Sequence, residues 1–228
     1  MIKKIRNLFL LFLLLVLLGF WSPWNDWDIN LLQLIGIDTQ PKLATLKVKS
    51  LAGDIDIYID EQNMGSVTAD DEFAEITTIS KGEHLIQLKR PTEKEGIYYE
   101  LSRKLNFEPG VEVVIAYDLG PSEEFSEGHI LYTAPNFNKD SAPDLNIISQ
   151  PDDVAVFLDD SQIGTTPLKE LELDISKQHK IRFEKQGYDT LEFILLPESQ
   201  EARDKLKGLS LQLEVNLFLQ PMKLIKAN

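Results

Sequence analysis

Adjacent carboxylates are the residues best placed to do chemistry in this chain. They occur as Asp159-Asp160 within FLDDSQIGTTPL, as Asp152-Asp153, and as Asp70-Asp71-Glu72. Calcium needs several oxygens converging at about 2.5 Å. None of the three clusters has the D-x-[DN]-x-[DN]-G spacing with a following Glu that a calcium loop uses. A glycosidase-type acid/base pair needs two carboxylates about 5 to 10 Å apart across a cleft, one of them raised in pKa by burial. Sequence supplies no such geometry, and turn residues on solvated faces are the simpler reading. His84, His129 and His179 are scattered, and no Ser or other nucleophile is visibly paired with them. Gly65 and Gly164 lack the neighbouring glycines of a phosphate cradle. The expectation is no catalytic, cofactor-binding or metal-binding residue and no small-molecule cofactor.

Composition narrows the classes further. The formal charge is -14, and the only charges before Asp26 are Lys3, Lys4 and Arg6, so the rest of the chain is more acidic still. Such a surface repels phosphates, which argues against a nucleic acid partner. With no cysteine there are no disulfides, thiolate nucleophiles, Cys-ligated zinc or iron-sulfur clusters, and no lipobox. A hydrophobic content of 43% is ordinary for folded protein.

The N-terminus reads MIKKIRNLFLLFLLLVLLGFWSPWNDWD, with three basic residues before an apolar run from Leu8 to Phe20. As helix this run rises about 20 Å, and extension through Trp24 brings it to about 25 Å. Around Gly19 there is no Ala-x-Ala pattern, so cleavage is disfavoured. Trp21, Trp24 and Trp27 suit the lipid-water interface, where an indole has an apolar body and one N-H to satisfy. The segment is therefore expected to be an uncleaved single-pass anchor, contacting the membrane through residues 8–24. Basic residues stay cytoplasmic, which places the long acidic remainder outside the cell membrane.

That remainder is a repeat. LKVKSLAGDIDIYIDEQNMGSVT from Leu46 aligns without a gap on LNIISQPDDVAVFLDDSQIGTTP from Leu145, at an offset of 99. Ser50, Asp54, Asp60 and Gly65 meet Ser149, Asp153, Asp159 and Gly164. Ile55, Ile57, Ile59 and Met64 meet Val154, Val156, Leu158 and Ile163, so the apolar alternation is kept. GEHLIQLKR around His84 pairs with KQHKIRFEK around His179 at an offset of 95. A period of two predicts half-buried strands. Asp-Glu-Gln-Asn-Met-Gly and Asp-Asp-Ser-Gln-Ile-Gly between them predict tight hairpins.

Further strands are predicted over 84–89, 98–107, 111–118, 179–185, 190–195 and 209–219. Residues 120–144, rich in Pro, Ser, Gly and Asn, read as a connection, although Ile130, Leu131 and Tyr132 can pack on either side of it. The one helix predicted after the anchor, residues 198–208, looks like an exposed insertion. His84 and His179 hold equivalent places before a strand, which points to a shared structural bond rather than catalysis. Tyr98, Tyr99, Tyr117, Tyr132, Phe137 and Tyr188 are candidates for stacking on sugars or anchoring a protein, though alternation places most of them in the core.

From Leu145 to Leu219 the second copy resembles the PEGA domain family. It has a leading strand LNIIS, then PDDVAVFLD, IGTTPL, KQHKIRFEKQGYDTLEF and a closing apolar strand. IGTTPL followed by Gln186-Gly187-Tyr188 is the most specific part, and Pro151-Asp152-Asp153-Val154 replaces the name-giving tetrapeptide. The first copy is a degenerate version, with GSVT in place of GTTP. The resemblance implies a small β-sandwich-like module of bacterial and archaeal envelope proteins, often in tandem behind a membrane anchor, with no catalytic residues.

The expected architecture is all-β: two tandem small β-sandwich-like domains preceded by one N-terminal transmembrane helix. Residues 1–27 form the anchor, 28–42 a juxtamembrane linker, 43–120 and 144–222 the two PEGA-like domains, 121–143 a linker and 223–228 a tail. The expected function is non-catalytic extracytoplasmic binding or scaffolding in the cell envelope, with glycan or protein as partner. The alternative is the ectodomain of a membrane-anchored sensor or accessory subunit docking on another membrane protein.

Overall fold

The computed structural model describes residues 43–92, 94, 96–135 and 143–221. Among these no helix is long and apolar enough to cross a membrane. The expected anchor and linker of residues 1–42 and the tail of 223–228 lie outside the described residues.

The chain is mostly β, with several sheets and almost no helix. The first copy supplies β1 (Ala44–Ser50), β2 (Ile55–Ile59), β3 (Gln62–Val67), β4 (Ala74–Ile79), β5 (Gly82–Lys89), β6 (Leu101–Phe107) and β7 (Glu112–Asp118). Then comes β8 (Glu127–Pro135). The second copy supplies β9 (Asp144–Gln150), β10 (Ala155–Leu158), β11 (Ser161–Thr165), β12 (Leu168–Glu172), β13 (His179–Glu184), β14 (Leu191–Leu195) and β15 (Leu209–Asn216). The strands correspond one to one between the copies. Each forms a four-stranded sheet, β3-β2-β5-β6 in the first and β11-β10-β13-β14 in the second.

The remaining strands build one sheet across both copies, in the order β12-β9-β15-β8-β7-β1-β4. This order is a palindrome about β8, since β4, β1 and β7 are the counterparts of β12, β9 and β15. Within each copy the first and last strands pair in parallel, and β8 pairs antiparallel with β7 on one side and β15 on the other. The expectation for residues 121–143 is thus corrected. Over 127–135 the chain is the central strand of the largest sheet, because Ile130 and Leu131 carry apolar surface on both faces and both neighbours offer free edges.

Alternation along β8 decides which core each residue joins. Ile130 lies opposite Ile115 and belongs with Leu46, Val48, Val113 and Ile115 to the core under the first four-stranded sheet. Leu131 lies opposite Leu213 and packs with Leu145, Ile147, Leu211 and Leu213 under the second. Directly opposed residues in a ladder share a face and successive ones alternate. The two four-stranded sheets therefore cover opposite faces of the seven-stranded sheet. Each leaves the other copy's half of its face uncovered.

Other expectations also change. Both hairpins carry a bulge, between Ile57 and Tyr58 in the first and between Val156 and Phe157 in the second. It breaks the alternation, so Met64 is 39% exposed although its apolar character suggested burial. Residues 198–208 contain only a five-residue helix, α1 (Gln200–Asp204). Its Arg203 is buried, donating from Nε to the carbonyl of Ile175 at 2.9 Å and from Nη1 to that of Pro197 at 2.8 Å. Leu206 is buried beside it, so this insertion is tied to the core rather than exposed.

Gly128 lies where β8 meets Tyr117 of β7 and Asn216 of β15, at φ +153. A Cβ there would collide with the Ala116 carbonyl oxygen and stand 2.8 Å from Tyr117 Cα. Gly128→Ala is expected to lower stability by at least about 2 kcal/mol, with both copies unfolding in one denaturant transition. Gly65→Ala, at φ +117 with nothing within 4 Å of the added methyl, is expected to cost about 1 kcal/mol.

Candidate functional site

Asp159-Asp160 and its counterpart Asp60-Glu61 are hairpin corners. Asp60-Glu61 and Asp159-Asp160 each occupy a two-residue loop with φ near +50 and +65, the type I′ geometry that matches strand twist. Asp and Asn visit this left-handed region more readily than other non-glycine residues. In the first copy Asp60 Oδ1 accepts from the Leu85 amide at 2.9 Å and Oδ2 from His84 Nδ1 at 2.6 Å. In the second, Asp159 Oδ1 accepts from the Lys180 amide at 3.1 Å and Oδ2 from His179 Nδ1 at 2.9 Å. The aspartate amides in turn donate to the carbonyls of Leu85 and Lys180, both at 2.9 Å. Each corner is clamped to the strand that carries its histidine, β5 or β13.

The far side of each imidazole is also occupied. His179 Nε2 lies 2.6 Å from the Asp174 carbonyl and Nδ1 2.9 Å from Asp159 Oδ2, so both ring nitrogens face an acceptor. His84 Nε2 lies 3.0 Å from the Ser80 carbonyl and 3.1 Å from its hydroxyl. Asp159 gains a further partner in Lys177, whose Nζ is 2.8 Å from Oδ2. That bond, the Lys180 amide and His179 hold its carboxyl well below the usual value of 3.8. Asp60, with His84 first and the Leu85 amide second, is lowered too.

The other acidic clusters are held differently, Asp71 through its carboxylate and Asp152 through its backbone carbonyl. Asp71 Oδ2 accepts from the Thr68 amide at 2.8 Å and hydroxyl at 2.9 Å. The carbonyl of Asp152 accepts from Lys185 Nζ at 2.5 Å. Among the described residues no three His, Asp or Glu side chains converge on a point where a metal could sit. Of the aromatic candidates, Tyr117 is buried, Tyr99, Tyr132 and Tyr188 are partly buried against the cores, and Tyr98 is 39% exposed. Phe137 lies outside the described residues.

Two clefts form where a four-stranded sheet ends over the seven-stranded one. Beside β6, a cleft of about 200 Å³ holds Arg103, whose Nε donates to Glu214 at 3.1 Å and whose Nη2 stands 3.5 Å from Glu123. Tyr132 and Tyr99 donate to the same two carboxylates, each at 3.1 Å. Burial and the adjacent Glu214 push the Tyr132 phenol up to about 12. Beside β14, the counterpart of β6, a cleft of about 390 Å³ is floored by Val114, Leu131, Leu211, His129 and Thr133. The His129 ring stacks on Phe193 at 3.6 Å between centroids and 6° between planes. Burial depresses its pKa from 6.5 to about 4, which keeps the ring neutral near pH 7.

Sequence reading passed over His129 because nothing in its spacing marks it. Its only signal is position, two residues from Leu131 on the same face of a strand that composition disguised as a linker.

Asp159→Ala is expected to lower stability by about 1 kcal/mol near neutral pH through loss of the strand clamp. A carboxyl with depressed folded pKa contributes stability above its unfolded pKa and loses it as pH falls through the folded one. Denaturant titrations below pH about 4 therefore show a shallower acid loss in Asp159→Asn than in the parent. His129 is depressed as well, so its contribution is complete above 6.5 and declines as pH falls toward 4. Imidazole NMR is expected to give a midpoint near 4 for His129, and His129→Gln is expected to flatten the stability loss between 6.5 and 4.

Comparison with known proteins agrees with the sequence reading for one part of the chain. No curated protein matches it. Residues 142–203, which span β9 to β14 and most of α1, match the family model described as the PEGA domain, the family that the second copy resembles in its own residues.

Proposed function

We propose that this protein is a non-catalytic binding or scaffolding module of the cell envelope, built from two tandem PEGA-like sandwiches, 43–120 and 144–222, that share β8. In this reading residues 8–24 hold it in the cell membrane with the N-terminus cytoplasmic, and the β unit is extracytoplasmic, contacting a glycan or a protein. The observation that carries the non-catalytic reading is the use of the repeated acidic corners. Asp60 and Asp159 each bond the same backbone amide and the same histidine in their copies. A nucleophile or general base has one active position and a reacting partner, whereas a duplicated bond of this kind serves the fold.

The second reading, an anchored sensor ectodomain or accessory subunit, draws on the short stretch from Trp27 to Lys42, which would keep the first sandwich near the bilayer. Full-length tagged protein extracted from its native membrane distinguishes the two. Scaffolding predicts retention on purified envelope polymer above a charge-matched acidic control, without a fixed companion. A single companion at constant stoichiometry supports the accessory-subunit reading, and turnover of polymer by the retained protein defeats the non-catalytic one. An intact mass lacking the residues before about 22 would remove the anchor, since the retained chain then has no apolar span.

A further inference from the structure

We propose that the cleft beside β14 is a binding site for a small, uncharged molecule with an apolar body and at least one hydrogen-bonding group. Its volume of about 390 Å³ falls within the range of small-molecule pockets, about 300 to 1,000 Å³. Leu131 and Leu211 in the floor and Phe193 and Leu206 in the wall give it an apolar lining. Two polar atoms interrupt that lining. Thr133 Oγ1 and His129 Nδ1 are buried and have no hydrogen-bond partner among the described residues. Thr133 is only 2% exposed. A buried polar atom without a partner costs stability until something bonds it, and two of them on residues that line one cleft mark where a ligand's polar groups would bond.

Spacing and charge define the ligand class. His129, Leu131 and Thr133 are alternate residues of one strand, so the two polar atoms flank an apolar centre and stand about 13 Å apart along β8. An elongated body with a polar group at one or both ends fits that pattern. The charged residues of the lining are all paired: Lys47 with Glu112 at 2.9 Å, and Lys205 with Glu201 at 3.5 Å. No cation is left to hold an acid, and the net charge of -14 disfavours an anionic ligand. Phe73 and Ile194, 40% and 57% exposed, extend the apolar surface at the rim.

Nothing in the architecture requires an open apolar cleft here. The equivalent position beside β6 is about half the size and filled by Arg103 and its carboxylate and phenol partners. The proposal does not depend on the envelope role above, because it rests on the cleft alone.

The test uses full-length protein in detergent with 4-phenylphenol as probe, read by the imidazole NMR resonances of all three histidines. The expected result is a saturable shift of His129 while His84, which sits in the first hairpin clamp outside the cleft lining, stays fixed. Thr133→Val and the surface substitution Ile194→Glu are each expected to weaken binding at least fivefold with the His84 resonance unchanged. A His129 shift that grows linearly with probe, that is matched by His84, or that saturates equally in both variants overturns the proposal. Ile194→Glu keeps the test decisive if Thr133→Val perturbs the fold.

Discussion

The double pairing of β8 is the constraint on which the rest of the molecule depends. Each copy ends its part of the large sheet on an open strand, β7 or β15, whose free N-H and C=O groups would otherwise face solvent. Such edges invite pairing with other chains. By hydrogen bonding to both, Glu127–Pro135 removes the two inner edges and converts two three-stranded layers into one of seven. Because side chains alternate, the same strand places Ile130 in one core and Leu131 in the other. The copies are consequently forced onto opposite faces of a common sheet, and each small sheet ends over an uncovered stretch of it.

The clamps show what the duplication preserved. In both copies an Asp at the hairpin corner ties the second strand's turn to the strand that follows two elements later, through one amide and one imidazole. These bonds join residues twenty or more positions apart in each copy, and they fix the register of the hairpin against β5 or β13. Lys177 strengthens only the second clamp, since its counterpart in the first copy is Gly82. Thr166 marks another divergence. Its hydroxyl accepts from the Val154 amide at 3.0 Å and meets that of Ser149 at 2.5 Å, locking the GTTP segment onto the leading strand. The first copy has Val67 at the aligned position and buries it as core instead.

How far the sequence discloses this structure follows from where burial is one-sided. Strands such as Ile55–Ile59 and His179–Glu184 alternate cleanly because one face meets a core and the other meets water, so a period of two reveals them. The three strands it missed fail that condition. Ala74–Ile79 and Leu168–Glu172 are outer edges of the large sheet with few buried residues, and their pattern is correspondingly weak. Glu127–Pro135 is apolar on both faces at Ile130 and Leu131 and is flanked by turn-forming residues, so composition reads it as a connection. The same two-sidedness hid His129, whose environment is made by strands from both copies. Arg203 illustrates the opposite failure. Charge made it look exposed, yet the carbonyls of Ile175, Ser176 and Pro197 converge on its guanidinium and compensate its burial.

Divergence between the two clefts is where symmetry ceases to describe the molecule. The pseudo-twofold about β8 generates both, with β6 and β14 as equivalent walls. In one, Arg103 of β6 bridges Glu123 and Glu214, so a residue of the first copy is bonded to the last strand of the second. A partly buried Arg with two carboxylates and two phenols is a satisfied network, and it joins the copies from one face of β8. On the other face the corresponding wall carries Phe193 and Ile194, and the floor leaves His129 and Thr133 unbonded. A duplicated scaffold needs only one such bridge to hold its halves together. With the charged network performing that role on one face, the opposite face was free to stay apolar and open, and that asymmetry distinguishes a structural cleft from one able to accept a ligand.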